Sequence, residues 1–398
     1  MSHVAILPKA APARVLACGA YLKNTACLLD GCRVVWSAPH GDLTAAANRE
    51  ALNKSVEQLL RLASGPIEAI AHDMHPDIYS SHIALSLADR LGIRAIPVQH
   101  HHAHIAVVQA EQGVADDVIG LALDGVGLGM DGGAWGGEVL WVDASAQRWR
   151  RLDHLAPILL PGGDAAAYEP WRMAAAVLHG LGRGQEIETR FSASVDAHAA
   201  RIVHRMLDRH VNSPATTSAG RWFDAAAAAL GLCLHQSIEA EAAMMLEHHA
   251  HIWLDAHPDF DFPWTSLDLA PVVAKLFAVA DHITDPCADQ NADFDDEPAS
   301  QQIARGAALF HLGLVNGLAC SAIAAARQHG VQAVVLGGGC FLNKVLSEQL
   351  SARLRSAGLA VLRPQSVSCG DAGIALGQAW VAACAVANQP MHQSTIEV

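Results

Sequence analysis

The stretch that decides the fold starts at Val98 with VQHHHAHIAVVQAEQG, and VIGLALDGVGLGMDGGAWGGEVLWV follows over residues 118–142. The first segment keeps helical spacing of its apolar residues and ends at Gly113, a residue type that commonly terminates helices. A strand-like apolar run over residues 93–98 leads into it, and another follows over residues 119–123. Strand, helix and strand in this order predict an α/β fold.

Three side chains in this stretch are candidate metal ligands. On the predicted helix His100 and His104 lie one turn apart on one face, where two imidazoles can share a cation. The carboxylate of Asp124, at the end of the next strand and before a glycine turn, is a natural third ligand. Histidines are also common as polar surface or hydrogen-bonded core residues, but this sequence of features favours a metal site.

Strand and helix patterns on both sides of this stretch repeat one order. VLACGAY, TACLLDG and RVVWSA predict three strands, and a helix, a strand and a second helix follow them. A second round starts at Val118 with three strands and closes with strand, helix, strand and helix between Ala333 and Ala387. Two βββαβα units, the second with an insertion, are the organisation of the actin/hexokinase-like ATPase (ASKHA) fold, in which two ribonuclease-H-like halves clamp a nucleotide.

This order divides the chain into predicted domains. Residues 1–13 form a leader, residues 14–117 an N-terminal ribonuclease-H-like lobe, and residues 118–398 a C-terminal lobe. A mostly helical insertion covers about residues 165–330 of the second lobe. Within it, TDPCADQNADFDDEPAS is acidic and contains two prolines, which predicts a solvated loop.

Composition excludes several classes of protein. The net charge of −14 argues against a nucleic-acid-binding face, which needs a basic surface. No apolar run approaches the roughly 18 residues needed to span a bilayer, so we expect no membrane partner. Nine cysteines without a CxxC pair, and an N-terminus without the pattern of a signal peptide, predict free thiols in the cytoplasm. The sequence leaves the oligomeric state open.

Two turns carry candidate nucleotide-binding residues. The turn GAYLKNT offers Lys23, Asn24 and Thr25 to a phosphate, although such a hairpin is more often an ordinary surface turn. The turn Gly337–Gly338–Gly339 follows a buried strand and leads into a helix, so a nucleotide could approach its backbone, or it could be only a tight turn. Asn343, one helical turn further on, could reach a ribose or base.

The segment CGDAG places Asp371 after Gly370 at the start of a predicted helix. Asp371 is either the N-cap of that helix or a fourth metal ligand that faces the histidine pair. In an ASKHA fold the strand ends of both halves converge, which favours the ligand.

Seven motifs resemble, in order, the C-terminal part of the hydrogenase-maturation carbamoyltransferase family HypF, over roughly residues 14–385. They are VLACGAYLKNT, VQHHHAHIA, ALDGVGLGMDGGAWGGE, LPGGDAAAYEPWRMA, SAGRWFDAAAAALGLC, LGGGCFLN and GDAGIALGQ. That part of HypF is grouped with TsaD-like tRNA threonylcarbamoyl transferases and antibiotic O-carbamoyltransferases, all of the ASKHA fold.

The resemblance implies roles for particular residues. It assigns the metal ligands to His100, His104, Asp124 and Asp371, with iron or zinc as the expected metal and magnesium as a further candidate. Lys23 matches a phosphate-contacting lysine, which with the two histidines makes the expected catalytic set. The SAGRWFDA segment matches the part that closes over the nucleoside, so Gly220 and Asp224 are candidate nucleoside contacts.

The resemblance also implies a reaction and partners. The family transfers a carbamoyl group from carbamoyl-adenylate, made from carbamoyl phosphate and ATP, to the C-terminal cysteine of HypE, where dehydration yields the cyanide ligand of the [NiFe] centre. Acylphosphatase-like, zinc-finger and YrdC-like sequences are not found in this chain. We therefore expect the donor to come from a separate YrdC-like protein or a full-length HypF.

Some positions depart from the family pattern. Where the family usually reads SYEGQAA, residues 237–243 read SIEAEAA, with Ile238, Ala240 and Glu241 as replacements. GTGYG becomes GVGLG over residues 125–129, and Gly370 stands where the family often has asparagine. Two alternatives therefore stay open: a non-catalytic HypF paralogue that acts as a nucleotide- or HypE-binding scaffold, and a TsaD-like tRNA threonylcarbamoyl transferase, against which the acidic charge counts.

Overall fold

The computed structural model describes residues 3–284 and 297–388. Contacts between residues group the chain into two compact units. The first comprises Met1–Val118, Trp141–Arg150 and Leu362–Val398, and the second comprises Ile119–Leu140 and Arg151–Val361. The C-terminal segment, which the sequence analysis assigned to the second lobe, thus groups with the first, because its helix packs on the helix and strands of that unit.

The first unit contains a six-stranded sheet in the order β1-β4-β3-β2-β5-β6. Its strands β2, β3 and β4 correspond to the three strands predicted from the sequence and pair antiparallel, and β5 and β6 continue the sheet in parallel. The strands are β1 (Val4–Ile6), β2 (Val15–Ala17), β3 (Cys27–Asp30), β4 (Arg33–Trp36), β5 (Ala69–Asp73) and β6 (Arg94–Val98). Strand β1, inside the predicted leader, was missed because three residues give no recognisable alternation.

Helices cover both faces of this sheet. Helices α1 (Ala46–Leu62) and α2 (Tyr79–Leu91) pack on one face, and α3 (His100–Gln112) and the C-terminal helix α12 (Ile374–Ala387) enclose the core of the other. Helix α3 ends at Gly113 in a left-handed conformation, as predicted. Gly377 lets α12 approach closely, since a Cβ atom there would lie 1.9 Å from the carbonyl oxygen of Ala103.

The second sheet has the order β10-β11-β8-β7-β12-β13, with β9 paired to β8. Its strands are β7 (Val118–Leu128), β8 (Ala134–Val142), β9 (Trp149–His154), β10 (Ile158–Leu159), β11 (Ala215–Thr216), β12 (Ala333–Gly337) and β13 (Ala360–Leu362). Strands β7 and β12 run parallel, with Leu121 opposite Leu336. Strands β10 and β11 were not predicted, because two residues each carry no pattern.

The predicted insertion is mostly helical in the described residues. It contains α4 (Pro170–Gly180), α5 (Glu186–Phe191), α6 (Ala197–Asp208), α7 (Ala219–Ala229), α8 (Glu241–Ala256), α9 (Ala270–Thr284) and α10 (Ala299–His329), and α11 (Lys344–Ser356) follows β12. The acidic stretch predicted as a solvated loop lies mostly outside the described residues.

Helix α10 corrects one expectation from composition. By length and composition it could cross a membrane, since an 18-residue window has a mean hydropathy of 1.7. The prediction that no apolar run reaches that length is therefore wrong for α10, because alanine, leucine and glycine outweigh its few polar residues. In the structure 67% of that window is buried inside the protein, as in the core helix of a globular unit.

Candidate functional site

Two histidines and an aspartate come together in the first unit. Residues His100 and His104 lie in the first two turns of α3, directly after β6. The Nε2 atoms of His100 and His104 lie 3.4 and 3.6 Å from Oδ1 of Asp371. Ligands bound tetrahedrally to one ion at about 2.0 to 2.2 Å are separated by about 3.3 to 3.6 Å, so these spacings match a shared cation.

The burial of these groups agrees with a metal site. Both imidazoles are almost completely buried, and Oδ1 of Asp371 is a buried carboxylate oxygen that receives no hydrogen bond from any described residue. One ligand atom from each of the three side chains lies within 4.8 Å of the others. A buried carboxylate is stabilised when a cation neutralises it, so the donor set fits a divalent ion.

Asp371 does not cap its helix. It begins a short 3-10 turn, Asp371–Gly373, and the residue at the N-cap of α12 is Gly373, where no side chain caps the helix. Of the two roles that the sequence left open, the helix cap is therefore excluded, and the role of metal ligand stays a prediction. Gly370 precedes this turn with an extended backbone, and its carbonyl oxygen accepts the N–H of Gly373 at 2.8 Å.

Asp73, which was not among the predicted site residues, orients one of the histidines. Oδ2 of Asp73 lies 2.7 Å from Nδ1 of His100, so Nδ1 donates to the carboxylate and Nε2 can bind a metal. Burial raises the pKa of Asp73, but the charges of His100 and His101 and the hydrogen bonds from His100 and the N–H of His75 together bring the pKa below its usual range. Asp73 is opposite Val98 in the parallel β5–β6 pair, so both strands end at the same edge of the sheet. Had this pairing been known, Asp73 could have been predicted to lie near His100, which follows β6.

The turn between β2 and β3 supports Asp371 through Thr25. The hydroxyl of Thr25 donates to the carbonyl oxygen of Ala372 at 2.8 Å, so this predicted phosphate contact instead holds the residue after the ligand. Lys23 is exposed at the tip of the turn, in a left-handed conformation with φ of 47°. Its contact with phosphate stays a prediction.

Asn24 is a structural residue, contrary to its predicted role. Its side chain is fully buried and its Nδ2 donates to the carbonyl oxygens of Cys18 and Ala20 at 2.9 and 2.5 Å. Its Oδ1 lies 2.8 Å from Nδ1 of His40. Because both amide hydrogens are used inside the turn, the side chain has no donor left for a phosphate.

The second unit fixes Asp124 by backbone contacts. Oδ1 of Asp124 accepts the N–H groups of Gly125 and Gly339 at 2.9 and 3.3 Å. The hydroxyl of Ser218 lies 3.2 and 2.5 Å from the carbonyl oxygens of Asp124 and Gly125. Asp124 belongs to a different unit from the histidines, and its role as their fellow ligand stays a prediction.

The glycine turn after β12 requires its glycines. Gly337 ends the strand, and Gly338 has φ of 103°, where an added Cβ would lie 2.2 Å from the carbonyl oxygen of Leu123. At Gly339 an added Cβ would lie 3.0 Å from Oδ1 of Asp124. The turn therefore packs its backbone directly against the end of β7, whether or not it also binds a nucleotide.

Asn343 is used inside the unit rather than exposed for a ligand. Its Oδ1 caps α11 by accepting the N–H of Leu346 at 2.9 Å, and its Nδ2 lies 3.0 Å from Nε2 of His311. His311 is fully buried, which lowers its pKa to about 4, and its Nδ1 lies 2.9 Å from the carbonyl oxygen of Ala307. The predicted contact of the Asn343 side chain with a ribose or base is therefore corrected to a helix cap.

The two predicted nucleoside contacts on α7 differ in character. Gly220 lies at the start of the helix, where an added Cβ would lie 3.1 Å from Cα of Gly125. Asp224 is 1% exposed and forms an ion pair with Arg221 at 2.7 Å, while burial raises its pKa to about 6. In this arrangement the carboxylate of Asp224 is buried inside the unit and is not accessible to the ribose of a nucleoside that binds from solvent.

Comparison with known families identifies both parts of the chain. Residues 10–111 match the HypF Kae1-like domain, and residues 120–378 match the second subdomain of the Kae1-like carbamoyltransferase domain. The chain belongs to the HypF carbamoyltransferase family. It is 53% identical over 378 residues to a carbamoyltransferase HypF homolog of Cupriavidus necator, covering 93% of this chain and 92% of that protein. The resemblance inferred from the motifs is thereby confirmed.

Other HypF relatives are about twice as long. Carbamoyltransferase HypF2 of the same organism is 46% identical over 92% of this chain but only 46% of its own length. A crystal structure of full-length HypF in a phosphate- and nucleotide-bound form superposes with a TM-score of 0.81 and 31% identity, over 95% of this chain and 47% of that one. The HypF of T. kodakarensis gives a TM-score of 0.82 at 28% identity, over 96% and 48%. The α/β, ASKHA-type fold predicted from the sequence is confirmed.

Proposed function

We propose that this HypF-family chain is a carbamoyltransferase of [NiFe]-hydrogenase maturation, which transfers the carbamoyl group of carbamoyl-adenylate to the C-terminal cysteine of HypE. The observation that carries the proposal is the first unit's set of His100, His104 and Asp371, with Asp73 behind it, in a chain of this family. Asp124 is the fourth ligand in this proposal. Iron or zinc suits two imidazoles with carboxylates, and magnesium is a further candidate.

The reaction needs positioning more than proton chemistry. The HypE thiolate attacks the carbonyl carbon of carbamoyl-adenylate, a C–S bond forms, the C–O bond to the phosphate breaks, and AMP leaves. AMP is a good leaving group, so the protein has to orient the donor and neutralise phosphate charge. The bound cation would supply a Lewis acid for phosphate oxygens, and Lys23 would add a second positive charge at the turn whose Thr25 donates to the carbonyl oxygen of Ala372, the residue after Asp371.

The lengths of the relatives are relevant to the source of the carbamoyl donor. This chain covers about half of HypF2 but nearly all of the shorter HypF homolog from the same organism. We propose that carbamoyl-adenylate reaches it from a separate YrdC-like protein or a full-length HypF, in the cytoplasm and without nucleic acid or membrane.

The test mixes the protein, HypE and carbamoyl-adenylate, made in place by a YrdC-like domain from carbamoyl phosphate and ATP. Mass spectrometry of the HypE C-terminal peptide should show the mass of one added carbamoyl group. His104→Ala should abolish the adduct, whereas His251→Ala, which changes an exposed histidine on α8, should not. An adduct of equal yield with His104→Ala would contradict the proposed site.

A second function has specific support. Asn343 and Asp224 are engaged inside the second unit, and three residues of the SIEAEAA segment differ from the family pattern. Both features favour a non-catalytic paralogue that binds HypE or nucleotide as a scaffold. Binding of HypE without any carbamoyl transfer, with the donor supplied, would support the scaffold and exclude the transferase.

A further inference from the structure

Helix α3 carries a third functional side chain beyond the histidine pair. Successive residues of an α-helix are about 100° apart, so His104 and Glu111 project within about 40° of the direction of His100. Since each residue rises about 1.5 Å, Glu111 lies about 16 Å further along the same face than His100. The helix therefore presents two imidazoles at one end of a face and a carboxylate at the other.

Glu111 binds the segment that leads to Asp371. Its Oε1 accepts the backbone N–H of Ser366 at 2.6 Å, the hydroxyl of Ser366 at 2.5 Å and the N–H of Val367 at 3.1 Å. Its Oε2 accepts the N–H of Gln365 at 2.8 Å. One carboxylate thus receives four hydrogen bonds from three consecutive residues, and each bond to a charged acceptor is stronger than a neutral one.

The segment between the residues that Glu111 holds and Asp371 is short. Four residues lie between Ser366 and Asp371, and the chain bends at residues 365–367 and again at residues 369–370. A displacement of the residues that Glu111 holds is therefore passed to Asp371 over only a few residues. A metal site tolerates about 0.2 Å in its ligand distances, so even a small displacement of Asp371 would weaken it.

We propose that Glu111 is a positioning residue for the metal site, which sets the register of residues 365–371 along α3 and so places Asp371 opposite His100 and His104. This role rests on the proposed metal site. Glu111 holds the segment before the ligand, and Thr25 holds the residue after it through Ala372. The ligand itself is left to face the two imidazoles.

The test measures Co2+ affinity of the full chain by competition with a chromophoric chelator, together with the Co2+ absorption spectrum. Glu111→Gln should weaken binding about 10-fold, as loss of a supporting residue typically does. Glu68→Gln is the matched control, because Oε1 of Glu68 also accepts a backbone N–H, that of Arg14 at 2.7 Å, without a link to Asp371. It should leave both the affinity and the spectrum unchanged.

A double-mutant cycle separates positioning from general destabilisation. If Glu111 acts through Asp371, then Glu111→Gln should change Co2+ affinity by less than about twofold when Asp371→Asn is already present. An equal loss in both backgrounds, or an unchanged affinity in the single variant, would overturn the proposal. If Glu111→Gln does not fold, Ser366→Ala is used instead, because it removes one of the four hydrogen bonds to Glu111. The same cycle with Asp371→Asn is then measured, with the same criteria for supporting or overturning the proposal.

Hydrogen exchange distinguishes failure of this role from failure of the proposed function. Glu111→Gln should speed amide exchange in residues 365–373 and leave β5 unchanged. If the wild-type chain binds no Co2+, the proposed metal site is wrong, and so is the positioning role of Glu111. This holds even if faster exchange in the variant shows that Glu111 does fix residues 365–367. If Co2+ binds and neither exchange nor affinity changes in the variant, only the role of Glu111 is wrong.

Discussion

The two units differ in what their candidate site residues offer to a ligand. In the first unit the side chains of His100, His104 and Asp371 converge, and Asp73 and Thr25 support them from behind. In the second unit the polar side chains at corresponding motifs are used by the fold: Asn343 caps a helix and Asp224 pairs with Arg221. What the second unit presents instead is backbone, above all at Gly338, where an added Cβ atom would meet the carbonyl oxygen of Leu123.

This contrast separates the two kinds of recognition that the proposed function requires. A cation needs lone pairs at fixed distances, so its ligands are side chains with supporting hydrogen bonds. The anionic phosphates of a nucleotide can be held by N–H groups and close backbone approach, for which glycine is suited and a long side chain is an obstacle. Motif residues that look like ligands can therefore be structural parts of a backbone site.

The largest expected effect tests the backbone role of the second unit. Gly338→Ala should lower the free energy of unfolding by about 4 kcal/mol, because the added Cβ would meet the carbonyl oxygen of Leu123 and φ is 103°. Gly330→Ala is the control, since Gly330 has φ of 67° but no atom within 4 Å of an added Cβ, and should cost about 1 kcal/mol. Urea denaturation measures both. Equal losses would show that the close approach to β7 does not matter.

The next effect tests whether Asn343 serves the fold. Burial lowers the pKa of His311 to about 4 in the folded protein, below the usual value of about 6.5 for an unfolded chain. The folded state therefore has its full free energy of unfolding above about pH 6.5 and loses part of it as the pH falls toward 4, because only the unfolded chain is protonated in that range. At most about 3 kcal/mol is involved, from the pKa difference. Asn343→Asp keeps the helix cap but places a carboxylate beside His311, so it favours the protonated imidazole.

The variant should therefore be less stable than the wild type near pH 7 and should lose less stability on acidification. Measuring the difference between the two proteins removes the contributions of other groups, such as the buried His102, whose pKa is also lowered to about 4. A constant difference from pH 7 to pH 4 would mean that Asn343 and His311 are not coupled in solution.

In the first unit the structure brings together His100, His104 and Asp371, which the sequence placed in one candidate site, but Asn24 of that unit turns inward as Asn343 does in the second. His100 and His104 follow from helical spacing alone, and Asp371 follows from a strand-to-helix turn once the fold is recognised. Asp73 could not be assigned from a local pattern, because its contact with His100 depends on the pairing of β5 with β6. Nor could the sequence show that the side chains of Asn24 and Asn343 point inward, because an asparagine at a turn gives the same sequence pattern whether its side chain is buried or exposed.

A smaller effect tests the support behind the metal ligands. Asp73→Asn keeps the size of the side chain but removes the charge that faces Nδ1 of His100. Metal affinity should fall 10- to 100-fold, or about 1.4 to 2.7 kcal/mol. Asp77→Asn, at an exposed position on the same loop, should have no effect. If Asp73→Asn binds Co2+ as well as the wild type does, His100 does not depend on this carboxylate for its orientation.

The smallest effect concerns the segment that departs from the family pattern. Ala240 has φ of 62° and ψ of 17°, a left-handed conformation, at the position where SYEGQAA has its glycine. A non-glycine residue there costs about 1 to 2 kcal/mol, and the greater freedom of glycine in the unfolded chain offsets part of the gain. Ala240→Gly should therefore stabilise the protein by about 0.5 to 1 kcal/mol.

The control is Ala357→Gly, at an exposed position with φ of −82°, where glycine should destabilise by about the same amount. Opposite signs for the two substitutions would show that the chain retains a backbone shape that suits glycine, although it no longer carries the residue. Equal signs would mean that the segment has relaxed to another conformation in solution. Nucleotide affinity measured on Ala240→Gly then tests the segment itself: a gain in affinity favours a backbone site that still binds nucleotide, and no change means that the segment does not contribute to nucleotide binding.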